Sequence, residues 1–199
     1  TAATGIDAMV HAIEAFTSKR LKNALSDMVA LKALDLMAKS IHTAVKDGSN
    51  LQARSDMLLG AMLAGQAFAN APVAAVHALA YPLGGIYHIP HGLSNSLVLP
   101  HVIRFNMPDA QHLYQQLAEV ILFNQERATD ADEVTEQLAS YFLNLAKELG
   151  LPTTLREMDI KESGLQQLAD ESMLQERLLI NNPRSMNVAE AKAIYQAAY

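Results

Sequence analysis

Asp7 and His11 stand four residues apart in a segment that reads as helix, so both side chains lie on one face, a turn apart. A carboxylate and an imidazole so placed can grip one metal ion together, as the paired histidines of an HExxH helix do. Alone, such a pair more often makes a hydrogen bond on a helix surface. Glu14 lies three residues further along the same face, where a carboxylate can orient a ligand from behind.

The stretch from His77 to His91 strengthens the metal reading. His77 stands among Val73, Ala74, Ala75, Val76, Ala78, Leu79 and Ala80, with little else polar nearby. A lone histidine in such a helix is usually a core residue bonded to backbone. A second one, His91, follows in the Pro90-His91-Gly92 turn, where a helix end can aim its side chain back at the first. Glycine there permits close backbone approach and positive φ. One carboxylate and three imidazoles suit Fe(II) or Zn(II) and make a poor magnesium or calcium cage.

Tyr81 is four residues after His77, shares its face, and can touch substrate or cofactor. Phe68 and Asn70, just before Pro72, are placed to line the same cavity, although an aromatic there is as often plain core. The remaining histidines have blander readings. His42 and His112 lie on charged sides of helices, His101 follows Pro100 at an expected helix start, and His88 is a loop residue that can stand near the site.

Nearly every segment that must position these groups reads as helix. Apolar residues recur at helical spacing in Asp7–Thr17, in Ala24–Val45 with Gly48 as its stop, and in Leu51–Ala69. The last is apolar on all sides, which predicts a helix running through the centre. Helices are expected over Val73–Tyr87, Leu93–Phe105 (interrupted by Pro100) and Asp109–Leu122. Another runs from the Asp130/Glu133 capping box to Leu149-Gly150, a short one starts at Pro152-Thr153, and one covers Gly164–Leu174. Asn187 with Glu190 caps the last. The pattern predicts one all-α domain of roughly eight to ten helices, with no period-2 strand or repeat.

Composition narrows the function. A formal charge of −6 without any basic stripe argues against a nucleic-acid partner. With no cysteine, disulfides and thiolate catalysis are excluded, which suits a reducing, cytoplasmic setting. No apolar run reaches the roughly 18 residues of a transmembrane helix, so no membrane partner is expected. No GxGxxG, Walker or GxSxG segment occurs, so nothing here cradles a phosphate or presents a serine nucleophile. The opening Thr1-Ala2-Ala3-Thr4-Gly5 lacks an initiator methionine and reads as part of something longer.

The ordered motifs as a set resemble the iron-containing (group III) alcohol dehydrogenases. They run from Thr4-Gly5-Ile6-Asp7-Ala8-Met9-Val10-His11-Ala12-Ile13-Glu14 through Phe68-Ala69-Asn70 and His77-Ala78-Leu79-Ala80-Tyr81-Pro82-Leu83-Gly84-Gly85. Ile89-Pro90-His91-Gly92-Leu93-Ser94-Asn95, Leu99-Pro100-His101-Val102 and Asn182-Pro183-Arg184 complete the set.

The resemblance implies a helical, metal-holding C-terminal domain of a dehydroquinate synthase-like fold. Residues 1–199 would form that domain, and the NAD or NADP site would lie mainly on an upstream α/β domain of the same polypeptide. It puts the ligands of an iron (or zinc) ion on Asp7, His11, His77 and His91, and Phe68 in the substrate pocket. The implied reaction is reversible hydride transfer between a small alcohol and its aldehyde or ketone, in a protein that commonly associates into homo-oligomers. Tyr81 falls where many members carry a second histidine, a candidate proton relay. A phenol, ordinarily titrating near about pH 10, shuttles protons at pH 7 less readily. Two other readings stand beside this one. One is a dehydroquinate synthase-like lyase, whose anionic substrate would need Lys or Arg absent from the segments near the ligands. The other is a non-catalytic helical domain with structural histidines.

Overall fold

The computed structural model describes all residues, 1–199, and is built of helices without a strand. In chain order these are α1 (Ala2–Thr17), α2 (Ala24–Lys46), α3 (Leu51–Asn70), α4 (Ala75–Tyr87) and α5 (His91–Ile121). After them come α6 (Ala131–Glu148), α7 (Leu165–Met173), α8 (Glu176–Leu179) and α9 (Val188–Ala197), with two single 3₁₀ turns before α7. The expected all-α class and helix number both hold.

The helix at the centre is α1. Ile6, Met9, Val10, Ile13 and Phe16 are buried on it, and it packs against α2, α3 and α5. The expectation that the third helix runs through the middle is overturned. Only Ala53, Met57, Gly60, Ala64 and Ala67 of α3 are buried, while Leu51, Leu58, Leu59 and Met62 are exposed. Its small residues explain this. A Cβ on Gly60 would lie 2.5 Å from Met37 Cγ on α2, so the small stripe lets the two backbones close together and turns the large side chains outward.

The two helices expected on either side of Phe105 are one. α5 runs 31 residues straight through Pro100 and Pro108. A proline removes one backbone donor and ordinarily kinks or ends a helix. Here the Leu93, Leu97, Val98, Leu99, Val102 and Ile103 stripe is buried, and that packing holds the helix together. His101 accordingly lies inside a helix rather than at its start, and His91 is the first residue of α5, not part of a separate turn.

Smaller differences are local. α2 ends at Lys46 with Asp47 as its cap, directly before Gly48 as expected, but without a left-handed glycine; the Asp47 side chain takes the Ser49 N–H. Gly150, at φ 74°, is the left-handed residue after α6. Thr153 opens no α-helix, only the 3₁₀ turn Arg156–Met158. The Asn187/Glu190 capping box forms as expected, and a second box, Asn23 with Ser26, starts α2. No single helix is long and apolar enough to cross a membrane.

Candidate metal centre

Four helices meet at the candidate centre. α1 supplies Asp7 and His11 one turn apart, α4 supplies His77, α5 supplies His91, and the last turn of α3 brings Phe68. One ligand atom from each of Asp7, His11, His77 and His91 falls within 4.8 Å of all the others. Asp7 Oδ1 lies 3.8 Å from His77 Nε2 and 3.5 Å from His91 Nε2. Ligand atoms about 3.4 Å apart are what a tetrahedral ion with bonds of about 2.1 Å requires. The four residues singled out by spacing are therefore brought together by the fold.

Glycine sets the approach of α5 to α1. A Cβ on Gly92 would lie 2.5 Å from the Ala3 carbonyl oxygen and 3.3 Å from Asp7 Cβ. Only a residue without a side chain lets His91 come this near Asp7. The close approach expected at this glycine is present, whereas a positive φ is not.

Glu14 has two tasks. α4 begins with no side-chain cap of its own, and Glu14 Oε1 accepts the Val76 N–H at 2.6 Å across the gap from α1. A carboxylate there also complements the positive end of the α4 dipole. Its other oxygen meets His77 Nδ1 at 2.6 Å, so the ring proton belongs on Nδ1 and the Nε2 lone pair points into the cluster. Both groups are buried, His77 2% exposed and Glu14 3%.

Aromatic packing fixes the remaining rings. His11 stacks between Phe68, at 4.6 Å, and His77, at 4.7 Å. Burial, then the neighbouring His77, hold the His11 imidazole below its ordinary pKa, which favours the neutral form a metal needs. Tyr81 stands edge-on to His77 at 6.4 Å and 6.0 Å from His91. No lysine or arginine pairs with Asp7, His77 or His91; their only ionic neighbours are each other and Glu14.

The donor set fits a first-row divalent ion. Asp7 Oδ1, His77 Nε2 and His91 Nε2 all turn toward the Asn95 side-chain nitrogen, at 2.5, 3.3 and 3.2 Å. Two amide hydrogens cannot satisfy three acceptors, whereas a cation can. One oxygen and three nitrogens is also a donor set for iron or zinc rather than calcium.

The centre opens to the surface on one side, where the His91 side chain is 47% exposed. Two cavities lie elsewhere. One of about 550 Å³ runs between α1 and α3 beside Thr4, Arg54 and Leu58, and one of about 570 Å³ lies beside His42, Tyr141 and Glu148. Asn70 does not line the cluster: it is exposed, and its side chain bonds only to the Gln66 carbonyl. His88 caps the end of α4 in a left-handed conformation, outside the cluster. Asn95 is the participant that the reading of spacing missed. It stands four residues after His91 on the same helix, the interval that linked Asp7 to His11.

Comparison with known proteins shows the family. The family model for the Fe-containing alcohol dehydrogenase family, C-terminal, matches residues 1–199. The 1,3-propanediol dehydrogenase of Klebsiella pneumoniae is 39% identical over 199 residues, covering 100% of this chain and 51% of that protein. Long-chain-alcohol dehydrogenase 1 of Geobacillus thermodenitrificans (strain NG80-2) is 42% identical over 204 residues, covering 100% and 50%. A crystal structure of a 1,3-propanediol oxidoreductase superposes with a TM-score of 0.94 at 36% identity, covering 100% of this chain and 51% of that one. The chain thus spans about half the length of the curated relatives it matches.

Proposed function

We infer function from membership: this chain belongs to the Fe-containing alcohol dehydrogenase family. It is the metal-holding half of an NAD(P)-dependent alcohol dehydrogenase that interconverts a primary or secondary alcohol and its aldehyde or ketone by hydride transfer. The observation carrying this reading is the convergence of Asp7, His11, His77 and His91 on one point in a chain that matches the C-terminal part of the family. The half-length match supports a nucleotide-binding domain in the same polypeptide.

Bound at the cluster, iron or zinc supplies Lewis acidity toward the alcohol or carbonyl oxygen, and nicotinamide supplies the hydride partner. The chain's own residues do the rest. Asp7, His11, His77 and His91 hold the ion, and Glu14 keeps Nε2 of His77 turned inward. Phe68 braces His11 and forms an apolar wall for the substrate chain. The Tyr81 hydroxyl, beside His91 at the open side, donates a hydrogen bond to the reacting oxygen and holds a proton at Oη. Packing an upstream domain over the exposed side of His91 excludes water from the reacting atoms.

Metal analysis of the intact protein tests this reading. About one iron or zinc per chain, lost in His77→Ala without unfolding, together with alcohol-dependent reduction of NAD or NADP, is the expected result. Full activity in metal-free His77→Ala would reject it.

A further inference from the structure

Asn95 sits one turn into α5 from His91 and is fully buried. Its Nδ2 donates to Asp7 Oδ1 at 2.5 Å, across 88 residues of sequence. That is the one hydrogen bond the Asp7 side chain makes, and that side chain is itself 17% exposed. At the other end of the same amide, Oδ1 is the single buried side-chain polar atom in the chain with no partner.

A buried asparagine with a purely structural role normally satisfies both ends of its amide. This one turns its donor end to the cluster, with Asp7 Oδ1 at 2.5 Å and His77 Nε2 and His91 Nε2 farther off at 3.3 and 3.2 Å, and leaves the other end bare. Its shortest contact is to the carboxylate, so its placement serves Asp7 before its own acceptor. The residue type fits as well. Aspartate here would set a second negative charge 2.5 Å from Asp7, and leucine would offer no donor.

We propose, resting on the metal reading above, that Asn95 is a positioning residue for Asp7: its amide N–H holds the carboxylate turned toward His77 and His91 so that the oxygen is ready for the ion. Without that donor the Asp7 side chain is free to rotate toward solvent. Ion binding must then restrict it, which weakens affinity.

The test is zinc affinity of the intact protein by chelator competition, with the melting temperature of the metal-free form beside it. Asn95→Leu keeps the volume and removes the donor, and Asn95→Ala covers the case in which leucine does not fold. Zinc binding weakened about tenfold to a hundredfold in the folded variant is expected, while the metal-free melting temperature holds or rises. Unchanged zinc affinity with a lowered melting temperature would mean a packing role and overturn the proposal. Tighter binding would overturn it too, since the amide would then be competing with the ion. Wild-type protein that takes up neither zinc nor iron would reject the metal reading itself, which separates the two failures.

Discussion

Glu14 is the joint between the helix that carries Asp7 and His11 and the helix that carries His77: one carboxylate oxygen takes the Val76 N–H and the other faces Nδ1 of His77, each at 2.6 Å. The start of α4 and the direction of its imidazole thus depend on a side chain 62 residues away.

Glu14→Gln keeps the shape and loses this double acceptance, because an amide has one acceptor end and one donor end. Either the Val76 N–H or His77 Nδ1 is left facing an NH₂ group. Stability should fall by about 2 kcal/mol and metal affinity by about tenfold or more. Urea unfolding and chelator competition measure the two. Wild-type values in both would show that the bridge has no consequence.

Gly92→Ala should damage the centre without touching a ligand. The new methyl would meet the Ala3 carbonyl, a backbone atom that cannot swing aside, so α5 must back away from α1 and carry His91 with it. A loss of about 2 kcal/mol is expected, together with weakened metal binding. A variant as stable and as tight as wild type would show that the crossing has slack.

Tyr81→Phe removes only the hydroxyl. If Oη handles the proton, kcat falls by about a hundredfold while metal content and melting temperature stay the same. Unaltered kcat would move the proton task to another group.

His101 gives a pH signature remote from the cluster. Burial first, then the Arg104 guanidinium, push its pKa down to about 4, against about 6.5 in an unfolded chain. Between those values the unfolded chain holds the proton and the folded chain does not. Its contribution to stability is full above about pH 6.5 and falls as pH drops toward about 4. Metal-free His101→Gln should therefore gain on wild type as the pH is lowered through this window, read from urea midpoints. A difference that does not change with pH would contradict the assignment.

Much of the centre was legible before any fold was known, because a helix places residues four apart on one face whatever surrounds it. That spacing tied Asp7 to His11 and His77 to Tyr81, and it put Glu14 on the ligand face. A capping box marked α6, and long apolar periodicity marked α1, α2 and α3. It could not rank the helices by depth. α3 reads as the most buried and lies at the edge, since Gly60 and its small neighbours dictate a close approach that periodicity does not register.

Sequence alone determined the helical class, the four candidate ligand side chains and the one-turn spacing of Asp7 and His11 on a single helix. These follow from backbone geometry acting over one or two turns. Tertiary structure decided the rest: that α5 continues through Pro100 and Pro108, that Glu14 caps α4, and that Asn95 reaches Asp7. Each of those depends on two segments distant in the chain packing to within a few tenths of an ångström. No local pattern encodes a distance of that kind; close packing of the whole core sets it.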